Sequence, residues 1–201
     1  MPSFTDLTGL AGIALALAAL CALVLRRVPV AQRVAASAAG FVFVLLLLPL
    51  AELPLAAYVR GMTGDLSIST LLLLAYAAAQ QAGGWPPQDV PRRIGAWLLP
   101  VLAAAVLYPL ALGAAPYDSY RWGYGEPWFL ALLLALAVAG TALRMPLVAV
   151  SISLAVLAWG LGWYESGNLW DYLIDPLLAI YAVFSCLSAC FALHRSRQLS
   201  R

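Results

Sequence analysis

Val44-Leu45-Leu46-Leu47-Leu48-Pro49-Leu50-Ala51-Glu52-Leu53-Pro54-Leu55 is the stretch that decides the fold class. Four consecutive leucines do not alternate in and out, as a membrane β-barrel strand must. Nor do they leave the polar face that a helix at the surface of a soluble protein carries. The rest of the chain agrees. Of 201 residues, 64% are hydrophobic and only 10% charged, whereas a soluble domain is about one quarter charged. Disorder is excluded too, since it requires low hydrophobicity and high charge. What remains is an all-α, polytopic transmembrane helix bundle, because helices and closed barrels alone satisfy their backbone in lipid.

A spanning helix needs about 20 mostly apolar residues. Seven segments qualify, at approximately 7–25, 35–58, 67–83, 94–113, 127–143, 146–163 and 173–193. Nothing basic precedes the first, so it reads as a true span rather than a cleaved signal peptide. The whole chain, 1–201, reads as one integral membrane domain without a soluble domain, in a cell membrane and most simply a bacterial inner membrane.

Arginine sorts the loops. With seven spans, Arg26, Arg27, Arg33, Arg92, Arg93, Arg144, Arg195, Arg197 and Arg201 share one side, and only Arg60 and Arg121 lie on the other. Cytoplasmic loops carry the excess of basic residues, so the N-terminus is expected outside and the C-terminus in the cytoplasm. If 67–83 merely dipped into the membrane, everything downstream would flip and leave four Arg inside against seven outside. Seven spans therefore fit better than six. The acids mirror this division. Asp6, Asp65, Asp118, Glu126, Glu165, Asp171 and Asp175 fall on the outer side and only Asp89 on the inner. Ala14, Ala18 and Ala22 are spaced for close helix contact.

Composition removes several kinds of chemistry. All eleven basic residues are Arg. Without Lys there is no retinal or pyridoxal Schiff base and no phosphate loop ending in Gly-Lys-Ser or Gly-Lys-Thr. A single histidine, His194, rules out three-His zinc and bis-His haem sites. It sits beside Arg195 and Arg197 and reads as a cation at a helix C-terminus. Cys21, Cys186 and Cys190 form no metal or redox motif, and no Gly-x-Ser-x-Gly nucleophile motif occurs. No catalytic residue, metal ligand or cofactor is expected.

The candidate binding residues are Glu52, Arg60, Arg121, Glu165, Asn168 and Asp171. Glu52 lies eight residues before Arg60, which on a continuous helix places it on the order of 10 Å inside the outer interface. A charge there costs a few kcal/mol unless paired, hydrated or protonated, and Pro49 and Pro54 should kink the helix around it. Glu165, Asn168, Asp171 and Asp175 follow spacings of 3, 3 and 4, which on a helix share one face. They predict a short interfacial helix or an early start of the seventh span. Arg121 lies among Tyr117, Tyr120, Trp122, Tyr124 and Trp128, which reads as an interfacial aromatic belt or as a lipid or sugar platform with a cation for phosphate or carboxylate. Asp65, Glu126 and Asp175 each precede a helix start and read as caps.

Three functions follow. The favoured one is a non-catalytic inner-membrane subunit or accessory protein of an envelope complex, with its acidic and aromatic face on the periplasmic side. The second is a small permease or lipid-handling carrier that uses Glu52 for proton or substrate coupling. The third is an outer-face enzyme with paired carboxylates such as Glu52 with Asp171 or Asp118. The partners expected are the lipid bilayer, a membrane protein or second copy, and a lipid or small solute at the outer face. Nucleic acid is not among them.

Overall fold

A computed structural model describes residues 4–25, 32–50, 52–81 and 90–199. Arg26, Arg27, Asp89 and Arg201, used above to assign sides, lie outside the described residues. The elements are helices α1 (Phe4–Leu25) and α2 (Gln32–Leu47), then strands β1 (Pro49–Leu50) and β2 (Leu53–Pro54). They continue with α3 (Leu55–Thr63), α4 (Ile68–Gln81), α5 (Val90–Ala111) and a 3-10 turn at Tyr120–Tyr124. The chain ends with α6 (Pro127–Ala142), α7 (Pro146–Gly160), α8 (Trp170–Leu173) and α9 (Pro176–Leu199). Phe4–Leu25, Ile94–Ala111 and Pro176–Arg195 are long and apolar enough to cross a membrane. The chain is a helical membrane protein. The helices from Arg33–Leu47, Ile68–Gln80, Pro127–Ala142 and Pro146–Gly160 are apolar but shorter.

The segment 35–58 is not one kinked helix. α2 stops at Leu47, and the Leu48 amide closes on the Leu45 carbonyl at 3.2 Å. The chain then doubles back through a two-stranded antiparallel hairpin with Pro49 opposite Pro54 and Leu50 opposite Leu53. Pro54 sits extended at φ −60°, ψ 146° as the N-cap of α3. Proline removes a helical amide and biases the residue before it away from the helical region. At a spacing of five, those two effects fall on successive turns. Pro100 and Pro109 stand farther apart and are both absorbed inside α5.

α7 packs between α4 and α6, α1 packs on α2 and α4, and α5 packs on α9. The larger core gathers Phe129, Leu133, Ala155, Leu169, Trp170 and Tyr172 where α6 and α7 meet the 164–174 segment. A smaller one joins Ile13 and Ala16 of α1 to Ala56 and Leu66. Ala14 and Ala18, expected at a close helix contact, are buried.

Two helix ends share one device. At α7, the Gly162 amide bonds the Trp159 carbonyl and the Trp163 amide that of Ala158, around Gly162 at φ 62°. At α6, Arg144 bonds Thr141 and Met145 bonds Gly140 in the same pattern. There the left-handed residue is Arg144, at φ 57°, a conformation in which non-glycine residues are uncommon.

Candidate functional site

The polar side chains of four chain segments meet at one end of the bundle. Gly64, at φ 73°, turns the chain after α3, and its amide closes on the Arg60 carbonyl at 2.8 Å. This reversal brings Asp65 back against Arg60. Arg60 Nε donates to Asp65 Oδ1 at 2.7 Å and Nη2 to Oδ2 at 3.0 Å, the two-pronged geometry suited to guanidinium and carboxylate. Nη1 also donates to Asp6 Oδ1 of α1 at 3.2 Å, and Nη2 lies 3.4 Å from Glu165 Oε1. One cation therefore ties three carboxylates from separate parts of the chain. The Asp65 hydrogen bond, aided by the surrounding acids, raises the Arg60 pKa further above its ordinary value despite partial burial. Gly9 makes the approach possible, because a Cβ there would lie 2.4 Å from Asp65 Oδ1 and 2.7 Å from Arg60 Nε.

Asp175 joins two helix starts. Its Oδ1 accepts the Leu178 amide at 2.8 Å, capping α9, while Oδ2 accepts the Ser67 amide at 2.9 Å and the Thr70 hydroxyl. The expectation that Asp175 caps its own helix holds. The expectation for Asp65 does not. Ser67 caps α4, accepting the Thr70 amide at 3.2 Å, and Asp65 belongs to Arg60. Glu126 occupies the N-cap position of α6 without a capping bond from its side chain.

The 164–175 segment is not the continuous helix that its polar spacing predicts. Only Trp170–Leu173 is helical, and its polar groups point in different directions. Glu165 faces Arg60. Asp171 accepts from the Tyr120 hydroxyl at 2.8 Å and from Ser166. Asn168 is fully buried; it donates to the Tyr120 carbonyl at 2.8 Å and accepts the Trp170 amide at 3.0 Å. A Cβ at Gly123 would fall 1.8 Å from Asn168 Oδ1, so glycine there admits the asparagine. Trp170 Nε1 donates to the Ser119 carbonyl at 2.9 Å. The Tyr164 hydroxyl donates to the Leu66 carbonyl at 2.8 Å, Tyr164 stacks on Tyr172 with centroids 5.0 Å apart, and Thr8 donates to the Trp163 carbonyl. Burial raises the pKa of Tyr164, Tyr120 and Tyr172, and for Tyr120 the hydrogen bond to Asp171 adds to it.

Of the six candidate residues, Arg60 and Glu165 form one cluster, and Asn168 and Asp171 both contact Tyr120 in a second. Glu52 and Arg121 stand apart. Glu52 is exposed in the turn between β1 and β2, and Arg121 is exposed on the 3-10 turn. Among the described residues neither makes an ion pair, and Arg60 pairs with Asp6, Asp65 and Glu165. Sequence reasoning missed Asp6 and Asp65 as Arg60 partners, and Tyr120 as the partner of Asp171. For Asp65 a signal existed, since Gly64 stands between an Arg and an Asp five residues apart. Chemically, this end of the bundle cross-links. Asp6, Asp65, Asp171 and Asp175 accept hydrogen bonds from named donors, and among the described residues no hydrogen bond joins one acid to another. No family model, no curated protein and no solved structure matches the chain.

Proposed function

We propose that the chain is a non-catalytic multi-pass subunit or accessory protein of an envelope complex in a bacterial inner membrane. It crosses seven times, with the N-terminus outside and the C-terminus in the cytoplasm. The observation that carries this reading is how the polar residues are used. Arg60, Asp65, Asn168, Asp171 and Asp175 are engaged with other side chains or with the backbone, which is what a rigid scaffold needs and what a substrate site would leave unmade. Topology has independent support. The start of α1, the α3–α4 turn, the 119–123 turn and the 163–175 segment are hydrogen-bonded to one another, and these are the segments that seven alternating crossings put on one side. The test is purification in mild detergent followed by mass spectrometry of the intact particle. A stoichiometric membrane-protein partner is expected. A stable, partner-free monomer overturns the reading.

A carrier is the second reading, and one observation favours it. An apolar segment is broken at Pro49–Pro54 with an acid in the break, and broken segments are where carriers place binding groups. Vesicles holding the purified protein and a pH-sensitive dye test for proton movement. Wild-type rates equal to those of empty vesicles, or Glu52→Gln rates equal to wild type, remove this reading.

A further inference from the structure

Helix length sets the α6–α7 pair apart from the longest helices. α1, α5 and α9 run for 22, 22 and 24 residues, about 33–36 Å at 1.5 Å per residue. α6 and α7 run for 16 and 15 residues, about 23–24 Å on the same rise. The two are neighbours in the bundle. Their ends are fixed. α6 starts at Pro127 and α7 at Pro146, both as first helical residues. α6 stops at the left-handed Arg144 and α7 at Gly162.

Polar and aromatic groups mark both levels. Glu126 and Trp128 stand at one end of α6 and Arg144 at the other, while α7 runs from Arg144 to Trp163. Between them the outward face is apolar and open, with Leu134 67%, Val138 61% and Leu157 57% exposed. An ordinary hydrocarbon core is about 30 Å thick. A helix longer than that tilts to fit, but a shorter one cannot stretch and is met by thinning of the bilayer, by flanking side chains reaching outward or by a second copy. The longer α1, α5 and α9 can adapt by tilting; α6 and α7 cannot.

We infer that α6 and α7 form a membrane-thinning face, fitted to lipid whose hydrocarbon layer is about 23–24 Å. Its occupant is lipid of short hydrophobic thickness. This rests on the reading that these helices cross the membrane, so the experiment separates the two. The protein is reconstituted into vesicles of phosphatidylcholine with short, intermediate or long monounsaturated chains, and its melting temperature is followed by tryptophan fluorescence. The melting temperature should be highest in the thinnest bilayer and fall by about 10 °C into the thickest. Inserting one turn, Leu-Ala-Leu-Leu, after Leu134 and again after Leu154 should move the optimum to thicker lipid.

Single cysteines at Leu143 and Leu161, with Cys21, Cys186 and Cys190 replaced by Ala, are labelled by an impermeant maleimide in the same vesicles. Labelling from opposite sides with a flat profile, or with an optimum in intermediate chains, overturns the thinning face alone. Labelling of both positions from one side overturns the crossing as well. A cysteine at Leu134 that cross-links between copies in the thin bilayer assigns the face to a second copy of the chain and overturns the lipid assignment. If the lengthened variant fails to fold, the wild-type profile and the labelling still decide.

Discussion

Gly9 and Arg60 share one small volume. The Cβ that alanine would add at position 9 lands on Asp65 Oδ1 and Arg60 Nε. Both atoms belong to side chains, so the helix need not move; the ion pair gives way instead. Gly9→Ala should therefore cost about what loss of the pair costs. The Arg60 and Asp65 side chains are each only 17% exposed, which places the pair between exposed pairs worth under 1 kcal/mol and buried ones costing 3–5 when one partner is removed, at about 2 kcal/mol. Gly9→Ala and Arg60→Ala alone should each lower stability by about that amount. Combined, they should lose little more than either one. Full additivity in detergent melts would show that Gly9 does not serve the ion pair.

At the scale of elements, proline spacing and left-handed residues decide where helices end. Pro49→Ala with Pro54→Ala restores two helical amides, and the apolar run should then join α2 to α3 and carry Glu52 into helix. Backbone carbon chemical shifts of Leu50 and Leu53 test this, extended in the wild type and helical in the double variant. Extended shifts in both would assign the hairpin to packing rather than to proline. Arg144 holds a conformation that costs an L-residue about 1 kcal/mol, offset by a few tenths from a cation at a helix C-terminus. Arg144→Gly should raise stability by about 0.5 kcal/mol and Arg144→Ala should lower it, since alanine keeps the strain and loses the charge. Alanine as stable as glycine contradicts the backbone argument. Much of this was legible beforehand: helix placement followed from apolar run length, and α4, α5, α6, α7 and α9 lie close to the expected segments. The break at 48–54 is not legible as a hairpin, because single prolines are tolerated in membrane helices, whereas two at a spacing of five are not here. The partners of Arg60 were hidden for another reason. Asp6 and Glu165 lie far from it in sequence, and only the packing of α1 on α3 and of the 164–175 segment over both makes them neighbours.

Taken whole, the molecule is fastened at one end by tyrosine hydroxyls, and this makes its stability respond to alkaline pH. Tyr164 is buried between Leu66 and Tyr172, and burial raises its pKa above the ordinary value of about 10. Tyr172 and Tyr120 shift the same way. Neutral phenol is thus favoured in the folded state, and this contribution is fully present below pH about 10. Above it the unfolded chain releases protons that the folded chain retains, so the free energy of unfolding falls as pH rises toward the folded-state pKa. The slope is up to about 1.4 kcal/mol per pH unit for each such group. Tyr164→Phe removes one group and one hydrogen bond. It should cost about 1 kcal/mol at neutral pH and melt with a shallower decline between pH about 10 and 11. The two curves should converge as pH increases, because the wild type is losing what the variant never had. Parallel curves across that range would mean that Tyr164 ionises in the folded state as freely as in the unfolded chain, and that its burial contributes nothing to holding the end of the bundle closed.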